Sequence, residues 1–132
     1  MREIDKIALI HVRDGQILMT RSIGKSTYYI PGGKREMGES DEEALIREIV
    51  EELNVSIRHN TIEYVGTFKA QADGANTGVI VKMTCYKAEY DGIAEPTSEI
   101  DEVKWLNYTD LDKVSEVDKI IFEYLKEQGE LQ

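Results

Sequence analysis

Three glutamates, Glu48, Glu51 and Glu52, are spaced so that a helix gathers their carboxylates on one face, because residues three and four apart stack on the same side. Carboxylates crowded in this way suit a hard divalent cation such as Mg²⁺, or Mn²⁺, which prefers carboxylate and phosphate oxygens. The chemistry on offer is hydrolysis of a phosphoanhydride, which needs neutralised oxygens, a positioned water and a leaving phosphate that is not repelled. Without a cation the three groups repel one another, and at least one is expected to hold its proton to a raised pH. Taken alone, such a trio is also what a solvated acidic helix face looks like. Its surroundings argue for more: Glu39 precedes the helix, Arg47 lies beside Glu48, and Gly32 and Gly33 leave a backbone able to approach a ligand closely. An arginine among four carboxylates can clamp Glu39 through a bidentate pair and leave the others for metal.

The helix that carries these groups is predicted over about Asp41 to Leu53. Ser40 is placed as its N-cap, Glu43 completes a capping box, and Asn54 ends it in the left-handed conformation that usually falls to glycine. Leu45, Ile46, Ile49, Val50 and Leu53 fall opposite the acidic face and form the side to be buried. Upstream, Ile7 to Val12 and Ile17 to Arg21 read as strands joined by a tight hairpin at Asp14-Gly15. Tyr28 to Ile30 is a short β-like piece ended by a loop at Pro31-Gly32-Gly33. Downstream, Ile62 to Phe68 and Val79 to Tyr90 read as strands around a loop from Gln71 to Gly78, the second long enough to be central. Glu102 to Leu106 is a last short strand, followed by a turn over Thr109 to Leu111. Val117, Ile120, Ile121, Tyr124 and Leu125 mark a C-terminal helix behind Ser115 and Asp118.

Gly33, five residues, Glu39, seven residues and then Arg47-Glu48-Ile49-Val50-Glu51-Glu52-Leu53-Asn54-Val55 closely resemble the Nudix box, G-x5-E-x7-R-E-U-x-E-E-x-G-U, where U is aliphatic. Only Asn54 departs, standing where the pattern has glycine. The resemblance implies an α/β fold, a Nudix-type α/β/α sandwich with a mixed sheet and the box as a loop-helix-loop. It implies hydrolysis within the pyrophosphate of a nucleoside diphosphate linked to another moiety X, with Mg²⁺ as the usual cofactor. Glu48 and Glu52 become the first candidates for metal ligands and catalysis, and Glu51 a further ligand, direct or through water. Which glutamate is the base stays open. Some family members take a further catalytic glutamate from a later loop, for which Glu99 is the best-placed match, with Glu95 and Glu102 as rivals.

Gly33, Arg21, Tyr28 and Lys34 are the candidates for substrate contact, with Glu39 and Gly32 supporting the site and Arg47 acting within it. Tyr28 and Tyr29 precede the box and could stack on a base, although paired tyrosines in a strand usually divide between core and surface. Arg21, Lys25, Lys34 and Arg35 are cations close to the expected phosphate site. His11 and His59 lack metal-ligand spacing and are given structural or surface roles, and Cys85 reads as a small buried apolar residue.

The 132 residues, 41% hydrophobic, fit a single domain over 1–132. A formal net charge of -10 argues against nucleic acid and anionic membranes as partners, and the lone cysteine rules out an internal disulfide. No apolar run is long enough to span a bilayer, and the M-R-E-I-D-K start has no signal-type pattern, so a cytoplasmic enzyme with a small-molecule nucleotide substrate is expected, as monomer or homodimer. ADP-ribose hydrolases of the family often carry an N-terminal extension and a proline after the box. Here the only proline beyond the box is Pro96, and the expectation tilts to nucleoside triphosphates. ADP-ribose, nucleotide sugars or dinucleoside polyphosphates are the alternatives, and a non-catalytic nucleotide-binding module is disfavoured by the complete glutamate set.

Overall fold

A computed structural model describes residues 2–72 and 78–132. Its strands are β1 (Arg2–Leu9), β2 (Val12–Arg13), β3 (Gln16–Ser22), β4 (Gly32–Lys34), β5 (Ser56–Ile57), β6 (Glu63–Gln71), β7 (Val79–Lys87), β8 (Tyr90–Asp91) and β9 (Ile100–Leu106). The described residues also form two helices, α1 (Asp41–Leu53) and α2 (Glu116–Glu127), and short 3₁₀ turns at His59–Thr61 and Tyr108–Lys113. The main sheet is mixed, in the order β4-β1-β7-β6, with β1 and β7 parallel and the other pairs antiparallel. A second antiparallel sheet has the order β2-β3-β9, and β5 pairs with β8.

Strand periodicity distributes the core between two layers, because successive side chains point to opposite faces. Ile7 and Leu9 of β1 and Leu18 of β3 pack with Leu45, Ile49 and Leu53 of α1. Ala8, Met19 and Met83 pack with Val117, Ile121, Phe122 and Leu125 of α2. The sheets are thus sandwiched between the helices. Each fully buried Leu or Ile contributes about 1.5–3 kcal/mol, so the apolar stripe of α1 holds its acidic face in a fixed position.

Local signals worked as expected at α1. Ser40 Oγ accepts from Glu43 N–H at 3.1 Å, the Glu43 carboxylate accepts from Ser40 N–H at 2.9 Å, and Asn54 adopts φ 56° and ψ 40°. The buried side consists of Ala44, Leu45, Ile49 and Leu53, whereas Val50, expected on it, is 45% exposed because it lies at the margin of the apolar arc. Asp14 and Gly15 both have positive φ and turn β2 into β3.

Pairing across the sheets redrew several boundaries. The segment from Pro31 was expected to be loop, but Gly32 and Gly33 pair with Ala8 and Ile7, so β4 extends the sheet and brings the glycines against β1. Tyr28 and Tyr29 make only isolated bridges, to Val114 and Thr20. The run from Val79 divides into β7, which is central, and β8. Most of the expected loop from Gln71 to Gly78 lies outside the described residues. No helix among the described residues is long and apolar enough to cross a membrane.

Candidate active site

Arg47 organises the entry to α1. Its Nε and Nη2 donate to the two Glu39 oxygens at 2.7 and 2.8 Å, and Nη2 also donates to the Lys34 carbonyl at 3.0 Å. Nη1 donates to Glu48 Oε1 at 3.0 Å and reaches Glu51 Oε1 at 3.4 Å. The hydrogen bond from Arg47 and a second from the Glu36 backbone hold Glu39 far down in the carboxylate range, at about 2. Hydrogen bonding to Glu39 likewise raises the Arg47 guanidinium above its ordinary value. One side chain thereby fixes the preceding loop against the helix.

The glycines of β4 make room for the glutamates. Gly32 N–H donates to Glu52 Oε1 at 2.9 Å, linking the last turn of α1 to the sheet edge. Gly32 has φ 151°, and a Cβ there would stand 2.8 Å from Ala8 Cα, so only glycine fits. At Gly33 a Cβ would collide with the Glu48 carboxylate, its Oε1 only 2.7 Å away. Burial, reinforced by the neighbouring Glu48 charge and opposed by the Gly32 hydrogen bond, raises Glu52 to about 7. Burial also raises Glu48, against the pull of Arg47.

Among the described residues, no three His, Cys, Asp or Glu side chains converge into a ready-made metal cluster. Arg47 instead engages Glu48 and Glu51, and Gly32 engages Glu52. The donor set nevertheless fits a hard divalent ion. Glu48 and Glu52 are carboxylates crowded together and partly withdrawn from water, and a cation relieves the cost that raises their affinity for protons.

Glu52 lines a cleft of about 240 Å³ together with Lys6, Thr20, Lys25, Tyr29 and Gly32. Lys6 Nζ lies 5.9 Å from the centre of the Tyr29 ring. A neighbouring chamber of about 160 Å³ shares Lys6, Tyr29 and Met83. Its flank is fixed by Asp118, fully buried, whose Oδ2 accepts from Ile30 N–H at 3.1 Å. Lys6 is not among the residues expected at the site, and Asp118, expected only at the start of the C-terminal helix, also anchors the Ile30 backbone. The available signal for Lys6 was a cation leading directly into the apolar run Ile7-Ala8-Leu9-Ile10, and for Asp118 an acid in the first turn of an otherwise apolar helical face.

The other expected residues lie elsewhere. Tyr28 donates its hydroxyl to Glu102, while Arg21 lies 5.9 Å from the centre of the Tyr28 ring and bonds Asp101 at 3.0 Å. Tyr29, not Tyr28, lines the cleft with Glu52. The Lys34 side chain is exposed, with only its carbonyl engaged by Arg47. Glu99 is exposed, its carbonyl accepting from Ile23 N–H. Glu95 accepts from Asn54 Nδ2 at 2.8 Å. The segment before β9 also caps α1: Glu95 N–H and Thr97 N–H donate to the carbonyls of Leu53 and Glu52, and the Thr97 hydroxyl donates to that of Glu51.

Comparison with known proteins agrees with this architecture. The chain is similar to the ORF135 protein of E. coli, with 26% identity, 96% of this chain and 92% of that one covered, and a TM-score of 0.74. It is similar to the mutator MutT protein of Bacillus halodurans, with 26% identity, 90% and 79% coverage and a TM-score of 0.70. It also shares its fold with a UDP-X diphosphatase at 19% identity, 98% and 64% coverage and a TM-score of 0.69. No curated protein matches the chain in sequence. The family model for the NUDIX domain matches residues 2–127, and with the box helix, its arginine clamp and the mixed sheet in place the chain belongs to the Nudix family of pyrophosphohydrolases.

Proposed function

We propose that the protein is a Mg²⁺-dependent nucleotide pyrophosphohydrolase acting by preference on nucleoside triphosphates. The observation that carries this reading is the shared cleft: Glu52, a half-buried carboxylate of the box, faces the same space as Tyr29, Lys6 and Lys25. A phosphate chain held at the acidic face leaves its nucleoside beside the Tyr29 ring, where stacking is favourable. The UDP-X diphosphatase likeness, at an identity that speaks for the fold alone, keeps a nucleoside diphosphate derivative as the second reading.

Glu48, Glu51 and Glu52 would hold the cation, with Mn²⁺ as a substitute for Mg²⁺. When bound, it neutralises the phosphate oxygens and lowers the pKa of an attacking water. The chain's own residues do the positioning. Arg47 holds Glu39 and the Lys34 carbonyl, and so keeps the backbone of Gly33 close to the carboxylates. Lys6 and Lys25 offer ammonium donors to phosphate oxygens, partly offsetting the protein's negative charge. Water attacks one phosphorus, the bridging P–O bond breaks, and a proton passes from the water to a nearby carboxylate. The sequence-predicted contacts through Arg21, Tyr28 and Lys34, and catalysis through Glu99, require the substrate to extend beyond this cleft.

A panel of nucleoside triphosphates, nucleotide sugars, ADP-ribose and dinucleoside polyphosphates, incubated with Mg²⁺ and resolved by product, tests the proposal. Nucleoside monophosphate plus pyrophosphate from a triphosphate is the expected result. Preferential cleavage of a diphosphate derivative establishes the second reading, and no product from any of them leaves a binding module.

A further inference from the structure

A separate cleft of about 680 Å³ lies between β9 and the segment from Glu89 to Pro96, and it contains none of the box glutamates. Its wall is aromatic. The His11 ring stands 4.9 Å from that of Tyr90 and 5.5 Å from that of Trp105, centre to centre. Trp105 is paired in register with Leu18, and both line the cleft, which opens beside the apolar layer that packs on α1.

Two groups at this wall lack a hydrogen-bonded or ion-paired partner among the described residues. His11 Nε2 is shut away from solvent and forms no hydrogen bond among the described residues, a costly state for a ring nitrogen. Arg13 lies 5.6 Å from the centre of the Trp105 ring, is exposed, and forms no ion pair among the described residues. Its neighbours differ. Arg58 is bound by Asp91 at 2.6 Å and approached by Glu89 at 3.6 Å, and Glu95 is engaged by Asn54. In a chain of net charge -10, an arginine free of carboxylates beside a π-face is a local exception.

We propose that this cleft is a second ligand site, distinct from the hydrolytic one, for a planar heteroaromatic compound bearing a single anionic group, such as a nucleoside monophosphate. The ring stacks on Trp105 at the aromatic wall, while the anion takes the open side of Arg13. Burial and the Arg13 charge both lower the His11 pKa, which keeps the imidazole of this wall neutral. The acids at the rim, Glu89 and Glu95, disfavour a polyphosphate, which separates this ligand from the proposed substrate. Its occupant touches the segment whose Glu95 and Thr97 cap the end of α1.

Trp105 is the sole tryptophan, so its fluorescence reports on this cleft directly. The full-length protein is titrated with AMP in the presence of a chelator, beside adenosine and ribose 5-phosphate. Saturable quenching by AMP is expected, at least about tenfold weaker in Arg13→Ala and in His11→Ala, and unchanged in Lys6→Ala, whose side chain lines the other cleft. Arg13 is exposed, so its variant keeps the test valid if His11→Ala fails to fold. The absence of quenching overturns the proposal. So does quenching that survives Arg13→Ala and disappears in Lys6→Ala, or equal binding of adenosine or ribose 5-phosphate. Hydrolysis plays no part in this readout, so the outcome is independent of the substrate panel.

Discussion

The Glu48 carboxylate fills the space into which Gly33 would project a Cβ, so the first residue of the box is a glycine because of where a glutamate fifteen positions later comes to rest. Gly32 meets a different obstacle, the β1 backbone at Ala8. The two glycines therefore separate function from stability. Gly33→Ala displaces the end of a flexible side chain, and Gly32→Ala displaces main chain. Gly33→Ala is expected to cut turnover about tenfold or more with little change in thermal midpoint. Gly32→Ala is expected to lose about 3 kcal/mol or more of stability in denaturant unfolding.

Glu52→Gln is expected to lower turnover by about 10²-fold or more while the far-UV circular dichroism stays unchanged, since the amide still accepts from Gly32 but loses its charge. Near wild-type kcat would remove Glu52 from the reaction.

Glu52 also makes stability depend on pH. A carboxyl raised to about 7 is protonated in the folded protein over a range where it is already ionised when unfolded. The native state then binds the extra proton, and its advantage, full below the unfolded value near 4.5, is lost as pH rises to about 7. In metal-free protein, the stability difference between Glu52→Gln and wild type should therefore grow in favour of the variant across this window. The change is on the order of 3 kcal/mol. Mg²⁺ should reduce it, because the cation favours the ionised carboxylate. Denaturant melts at several pH values, with and without Mg²⁺, provide the measurement.

Arg47→Lys keeps the positive charge but cannot donate at once to both Glu39 oxygens and the Lys34 carbonyl. An apparent Mg²⁺ affinity weaker by about 10- to 100-fold is expected from activity titrations, the usual scale for losing a group that orients ligands. A variant that titrates like wild type would show that the clamp is dispensable.

Local chemistry made α1 legible in the sequence. Its capping box, its left-handed stop at Asn54 and its two faces all arise from contacts within a few residues, and these are encoded at fixed spacing. The box extends that logic to Glu39 and Arg47, which meet across a single loop. The sandwich follows from the same alternation, since Ile7 and Ala8 must point to opposite layers.

Which residues share a cleft was decided by pairing between distant strands. Lys6 faces Glu52 because β4 folds back antiparallel on β1, and Tyr29 reaches the cleft while Tyr28 turns to Glu102 on β9. His11, Tyr90 and Trp105 form one wall although segments far apart in the chain supply them. A one-residue shift in any of these registers would send the side chains to the opposite face, and register is set by packing of the whole sheet rather than by any short stretch of sequence.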